Sequence, residues 1–400
     1  MLLTMKEANK IEVIQGVMDG TIEFDEAGRV LNRSVRQVFR MLKKLRDEGM
    51  DGLIHGNKGK KSPRKIKKAI RGRIIKLVRG KLSDINDTHL SEILLREEKI
   101  KIGRETLRTI LREEGVGAKL KRRHPKHRSR RERKEALGMM LQIDGSPHDW
   151  LEGRGPRLTL IGAKDDATSF VWARFEGSET TWGYLNLMRE VFLSKGLPLS
   201  LYSDRHTIFH SPKEPTIVEQ INNIRPLTQF GRAMEEVGIT IIKAWSAPAK
   251  GRIENQWKTF QDRLVVEMRL KGIKSREEAN RFLEEFLKVY NQRFCVAPKN
   301  QEAVFRPSPS ASKLDRILCL KETRTVAKDH TISFEGLVLQ IPPGKKYYSI
   351  ARQKVEVHQL KDGSVEIVYK KLTVARFSPE AVQRMVKKVK NEKTQLEKAA

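Results

Sequence analysis

Two cysteines stand in 400 residues, Cys295 and Cys319. They are too few for a disulfide framework or a cysteine-built zinc site. No apolar run reaches the length a bilayer needs, so no membrane span is expected. The opening residues, MLLTMKEANK, carry no apolar signal-peptide core. Acidic residues are outnumbered, 50 against 80 basic ones, which leaves a formal charge of +30. Such an excess says more about partners than about fold, and nucleic acid is the default polyanion for a chain this basic.

What is present falls into segments of different character. Residues 6–18 and 21–31 have helical apolar spacing, the second entered through Thr21 or Asp25. Asn32-Arg33-Ser34 then reads as a turn, with Ser34 capping a basic third helix that Gly49 ends. A tight turn before a basic third helix is a helix-turn-helix pattern, with Arg33, Arg36, Gln37 and Arg40 projecting towards DNA. Residues 58–81 hold 12 basic and no acidic residues, beginning as a linker and becoming helical near Lys65. Helices over 88–98 and 103–115 follow and repeat the short-turn arrangement, with Arg104, Thr106, Arg108 and Arg112 on the last of them. The block 119–134 carries ten basic residues, among them Lys121, Arg122, Arg123, Arg128, Arg130 and Arg131, and reads as a phosphate-tracking linker. His124 and His127 lack the paired cysteines that a zinc site of this spacing would need.

From residue 136 the pattern becomes strand, hairpin, helix, strand, helix, strand, helix, which predicts a mixed α/β domain. Two apolar strands close on acids, Asp144 and Asp204, and strand ends are where open α/β sheets place their sites. A third acid, Glu254, opens the helix KGRIENQWKTFQDRL among Lys250, Arg252, Lys258 and Arg263, and of these Lys250, Arg252 and Lys258 are candidates to hold the DNA being cut. Three carboxylates in one cleft repel each other unless divalent cations sit between them. Two such ions could activate a nucleophile and stabilise a leaving oxygen in phosphoryl transfer. Hard oxygen ligands favour Mg²⁺, with Mn²⁺ as substitute. Lys258 lies one turn beyond Glu254 and is the candidate for a phosphate contact. Trp257 reads as core rather than as a platform for a base. Asp165 and Asp166 read as ordinary turn residues, Asp149 as a loop residue, and Asp262 as a partner of Lys258 or Arg263. His206 reads as a hydrogen-bonding brace of the Asp204 loop.

The ordered run IDGSPHDW, KDDATSFVWARF, LYSDRHTIF, APAKGRIENQWKTFQDRL and YNQRF resembles bacterial insertion-sequence transposases of the DDE, retroviral-integrase-like type. The resemblance spans most of the chain. It implies helix-turn-helix N-terminal domains, a ribonuclease-H-like catalytic core and a small all-β C-terminal barrel. It implies a catalytic, metal-binding triad of Asp144, Asp204 and Glu254, with Mg²⁺ as cofactor. It further implies binding to terminal inverted repeats, strand cleavage and joining to target DNA, a homo-oligomer on DNA, and a cytoplasmic, nucleoid-associated place in the cell. Arg205-His206 stands where many integrases have Asn-Gly, which matches the subgroup with a DRH motif. The expected divisions are 1–57 and 58–118 (two helical readers), 119–135 (basic linker), 136–300 (core), 301–320 (linker), 321–378 (β-barrel) and 379–400 (charged tail). A non-catalytic DNA-binding protein or domesticated transposase is the alternative. A general nuclease with the same core is a third reading, against which the N-terminal readers argue.

Overall fold

The computed structural model describes residues 3–58, 66–119, 131–222, 225–244, 251–344 and 349–387. The chain divides into two compact units, Met1–Leu77 and Val78–Ala400.

In the first unit, α1 (Met5–Met18) begins with a capping box between Thr4 and Glu7. It packs on α2 (Phe24–Leu31) and α3 (Val35–Glu48) through Ile14, Val17, Ala27, Val38 and Leu42. The turn between α2 and α3 is as short as the sequence predicts, with Asn32 left-handed at φ 51°, a conformation that asparagine tolerates. Gly49, at φ 68°, ends α3 as expected. The caps differ. Ser34 sits at the N-cap position of α3 but makes no side-chain cap bond, and α2 is entered through Glu23. Thr21 instead donates its hydroxyl to the Gly16 carbonyl.

α4 (Lys68–Arg79) contains the division between the units. In the second unit, α5 (Asp87–Glu98) and α6 (Arg104–Glu113) come first. Asn86, one residue ahead of α5, caps it by accepting from the His89 N–H at 2.9 Å.

The sheet that follows has five strands in the order β3-β2-β1-β4-β5. They are β1 (Leu141–His148), β2 (Leu158–Asp165), β3 (Val171–Glu176), β4 (Ser200–Ser203) and β5 (Thr240–Lys243). β1, β2 and β3 run antiparallel in sequence order, whereas β4 is parallel to both β1 and β5. β2 is buried along its whole length, because helices cover both faces. One face carries α7 (Thr181–Lys195) and, beyond the short α8 (Ile217–Ile221), α9 (Gln229–Glu236), packed through Tyr184, Met188, Phe192 and Phe230 onto Leu141, Ile143 and Leu201. The other carries α10 (Gly251–Leu270) and α11 (Arg276–Phe294), packed through Trp257, Phe260, Leu264 and Leu283 onto Leu158, Leu160 and Phe175.

The pair α5–α6 does not form a unit apart from this core, as the sequence suggests it should. α5 lies on α10: His89 meets Glu267 at 2.8 Å, Arg96 grips the same carboxylate at 2.7 and 3.0 Å, and Arg263 meets Glu92 at 2.7 Å. Asp262, expected to pair along its own helix, meets Lys119 at 3.0 Å and Asn86 instead.

After α12 (Ala311–Ile317) comes an all-β segment. β6 (Leu320–Thr325), β9 (Lys354–Gln359), β10 (Val365–Tyr369) and β11 (Leu372–Phe377) form one antiparallel sheet, and β7 (Thr331–Phe334) with β8 (Leu337–Gln340) form a hairpin. Both surround one apolar cluster that includes Phe334, Leu339, Val357 and Ile367. Among the described residues no ladder closes them into a barrel. No helix of the described residues is long and apolar enough to cross a membrane.

Candidate active site

The site begins with the alternation of β1. Leu141 and Ile143 go into the core on the α7 side. Gln142, Asp144 and Ser146 therefore share the other face. There α10 meets them: the Trp257 indole N–H donates to Asp144 Oδ2 at 3.0 Å, and Gln261 donates to the Ser146 hydroxyl at 3.1 Å. Trp257 is core, as read, but its ring has a second task. It reaches Asp144 across Gly162, the residue paired with Asp144 on β2. A Cβ at Gly162 would come within 2.4 Å of the ring, so no larger residue fits beneath it. Trp257→Phe keeps most of the ring and removes the donor. We expect a loss of about 1–3 kcal/mol in stability, read as a lower urea midpoint; an unchanged midpoint would show that the bond is idle.

Asp144 is not the end of its strand, contrary to the sequence reading. β1 runs on to His148, paired with β2 alone. Its parallel pairing with β4 stops earlier, at Leu141↔Leu201 and Gln142↔Tyr202. Two residues on from that last pair, the two strands reach Asp144 and Asp204. The acids thus occupy matching positions where the β1–β4 ladder opens. Asp204 is the first residue after β4. Its Oδ1 accepts from the His206 backbone N–H at 3.1 Å, and the His206 ring accepts from Ile208 N–H at 3.2 Å, the brace expected of that residue. Glu254 stands in the first turn of α10, three residues before Trp257 and half-buried. Lys258, the next turn, is exposed. Among the described residues, no three His, Cys, Asp or Glu side chains lie close enough to hold a metal ion. The donors on β1 and after β4 are nonetheless hard carboxylate oxygens of the kind Mg²⁺ and Mn²⁺ take. Residues 245–250, which lead into Glu254 and include Lys250, lie outside the described residues.

A fourth carboxylate belongs to this neighbourhood, and the sequence reading missed it. Glu179, between β3 and α7, accepts from the Tyr184 hydroxyl at 2.6 Å. A Cβ added to Gly145, the residue after Asp144, would lie 2.8 Å from its carboxyl carbon. Burial raises the Tyr184 phenol well above its ordinary value, and the charges of Glu179, Asp144 and Asp204 raise it further. No local pattern marks Glu179; only the fold brings it there.

The DNA-facing candidates divide. Arg33, Arg36, Gln37 and Arg40 are exposed on and before α3. Arg104, Thr106 and Arg108 are exposed on α6, both arginines paired with Glu105. Arg112 is turned inward, to Asp87 at 2.6 Å and the Val116 carbonyl at 2.9 Å. Arg131 and Arg252 both meet the wholly buried carboxylate of Asp166. Lys121, Arg122, Arg123, Arg128 and Arg130, with His124 and His127, lie outside the described residues.

Sequence relatives identify the family. The chain is 33% identical over 370 residues to a putative transposase, y4bF, of Sinorhizobium fredii, covering 92% of this chain and 80% of that one. It is 29% identical over 402 residues to the transposase for insertion sequence IS1202 of Streptococcus pneumoniae, covering 90% and 84%. The chain belongs to the transposase family. No family model matches it. Among solved structures, a likeness is found to the HTLV-2 integrase catalytic core domain in complex with magnesium, with TM-score 0.28 and 13% identity over 37% of this chain and 82% of that one. Another is to the simian T-cell lymphotropic virus intasome in complex with the PP2A regulatory subunit B56 gamma, with TM-score 0.32 and 14% identity over 76% and 99%. Both are too distant to carry an argument about this family member, whose sheet order and acid positions stand on their own.

Proposed function

We propose that the chain is a DNA transposase that binds the terminal inverted repeats of its insertion sequence and carries out metal-dependent cleavage and strand transfer. One observation carries this: the opening of the β1–β4 ladder at Asp144 and Asp204, beside the helix that bears Glu254 and is bonded to Asp144 through Trp257. A protein that only binds DNA has no use for two acids at matching points of a sheet. The strand order around them is the one a ribonuclease-H-like core would have.

In this reading Asp144, Asp204 and Glu254 hold the metal. When bound, a pair of Mg²⁺ ions, or Mn²⁺ in its place, supplies charge to the attacking and leaving oxygens of phosphoryl transfer. The protein's own contribution is position. Trp257 fixes the Asp144 carboxylate, and the His206 N–H fixes that of Asp204. Lys258 and Lys250 hold a phosphate of the strand being cut. The α2–α3 turn and α3 form a helix-turn-helix reader, with Arg33, Arg36, Gln37 and Arg40 towards DNA, while Arg104 and Arg108 present a second basic face. The charged linker tracks the backbone between them. Two ends must be held together, so the working form is a homo-oligomer on double-stranded DNA.

The test is supercoiled plasmid carrying the element's ends, incubated with the purified full-length chain and Mg²⁺. Nicks at the end junctions and a dimer or larger species on paired ends by light scattering are expected. Tight end binding with no cleavage in Mg²⁺ or Mn²⁺ would move the non-catalytic DNA-binding reading ahead.

A further inference from the structure

Asp166 has no part in the site just described, yet its carboxylate is wholly buried and holds several donors. Its Oδ1 accepts from Gln142 Nε2 at 2.8 Å and from the guanidinium groups of Arg131 and Arg252; its Oδ2 accepts from the Lys134 N–H at 2.8 Å. These donors come from three places. Gln142 is two residues before Asp144 on β1. Arg131 and Lys134 are the last part of the basic linker. Arg252 is two residues before Glu254. Other bonds strengthen each limb. Lys164, two residues before Asp166, donates to the Arg252 carbonyl and to Gln256 Oε1, both at 3.1 Å, and so brackets Glu254 from either side. Arg252 also donates to the Arg131 carbonyl. Arg133 donates to the carbonyls of Asp166 and Ala167 at 3.1 and 3.2 Å.

We infer that Asp166 is a positioning residue: it ties the start of the Glu254 helix to β1 and to the end of the basic linker, so that Glu254 is set relative to Asp144 only when the linker is seated. The charges demand such an anchor. Arg131, Arg133, Arg252 and Lys164 gather around this turn and would repel one another without a central anion. Burial, and after it the charges of Arg133 and Arg252, push the Lys164 amine down to about 8. Asp166 itself is held below the ordinary aspartate value despite its burial, because the Lys134 N–H and the arginines favour its charged form. A side chain that merely ended a strand would need none of this.

The inference rests on the reading of Glu254 as a catalytic acid, and the experiment separates the two. Full-length Asp166→Asn is compared with wild type by hydrogen exchange over residues 251–256 and 262–270, by gel shift on end DNA, and by plasmid cleavage in Mg²⁺. Faster exchange confined to 251–256, unchanged end binding and a cleavage rate lowered about 100-fold are expected, the scale of a group displaced by an ångström. Unchanged exchange at 251–256, loosening spread evenly over both segments, or loosening with wild-type cleavage overturns the inference. Should Asp166→Asn fail to fold, Arg252→Gln breaks the same tie from the helix side and is read by the exchange of 251–256 against 262–270 alone. Glu254→Gln is run alongside. If it cuts like wild type, the assignment of Glu254 has failed, and the tie is then judged on the exchange of 251–256 alone.

Discussion

Asp204→Asn is expected to abolish strand cleavage and to leave end binding intact. Asp204 follows β4 directly and matches Asp144 across the opening of the β1–β4 ladder. Asparagine keeps the size and keeps an oxygen for the His206 N–H, now 3.1 Å from Oδ1, so the loop has no reason to move. What it loses is the charge, and with it a hard anionic ligand for the divalent ions of the proposed reaction. A fall in cleavage of roughly three orders of magnitude or more is expected, as for other groups that act only in the transition state. Mn²⁺ should not restore it. Without metal the variant should melt no lower than wild type, since a like charge beside Asp144 has gone. Gel shift, a melting curve and plasmid nicking on one preparation check all three points. Cleavage within a few-fold of wild type would remove Asp204 from the site.

The strands and helices that frame this site were legible because their periods are local. The apolar run of β1 shows in the sequence up to Asp144, and Gly196, which follows α7, stands where its helical spacing stops. β6 was not legible: LKETRT alternates poorly, and its strand form comes from pairing with β9 some thirty positions on. The same limit governs the site. Asp144 and Asp204 could be found as acids ending apolar runs, but that Asp144 sits inside its strand depends on how far the pairing with β2 continues. Asp165 and Asp166 look like any turn pair. Their burial is decided by Arg131 and Arg252, which are 35 and 86 positions away from Asp166, and by Gly138 and Thr168, which bond Asp165. Glu179 and the Trp257 indole N–H likewise acquire their neighbours from other elements. Basic residues show the same dependence on distant partners. Arg112, Arg131 and Arg252 count towards a DNA-binding charge in the sequence, yet each is committed to an acid of its own chain.

The error with the largest energetic consequence concerns α5. The sequence reads α5–α6 as a separate reader, but Glu267 on α10, 7% exposed, joins them to the core. It meets the buried His89 at 2.8 Å and takes a two-pronged bond from Arg96 at 2.7 and 3.0 Å. Burial alone would raise its pKa; the bonds from His89 and Arg96 outweigh that and hold it below the usual glutamate value. Glu267→Ala strands the buried His89 imidazole and leaves the half-exposed Arg96 with Glu97 alone, and a loss of about 1–3 kcal/mol is expected. All five tryptophans lie between residues 150 and 257, so their fluorescence in urea reports the second unit. The pH dependence has a definite sign. A carboxylate whose folded pKa is depressed lends stability that is complete above its ordinary value of 4.5 and fades as pH falls below that towards the folded value. The gap between wild type and Glu267→Ala should therefore be widest near neutrality and narrow in acid. A gap that stays constant into acid, or a variant as stable as wild type at neutral pH, would mean that α5 docks through its apolar face alone, by Leu90, Ile93 and Leu94, and that the buried acid adds nothing to it.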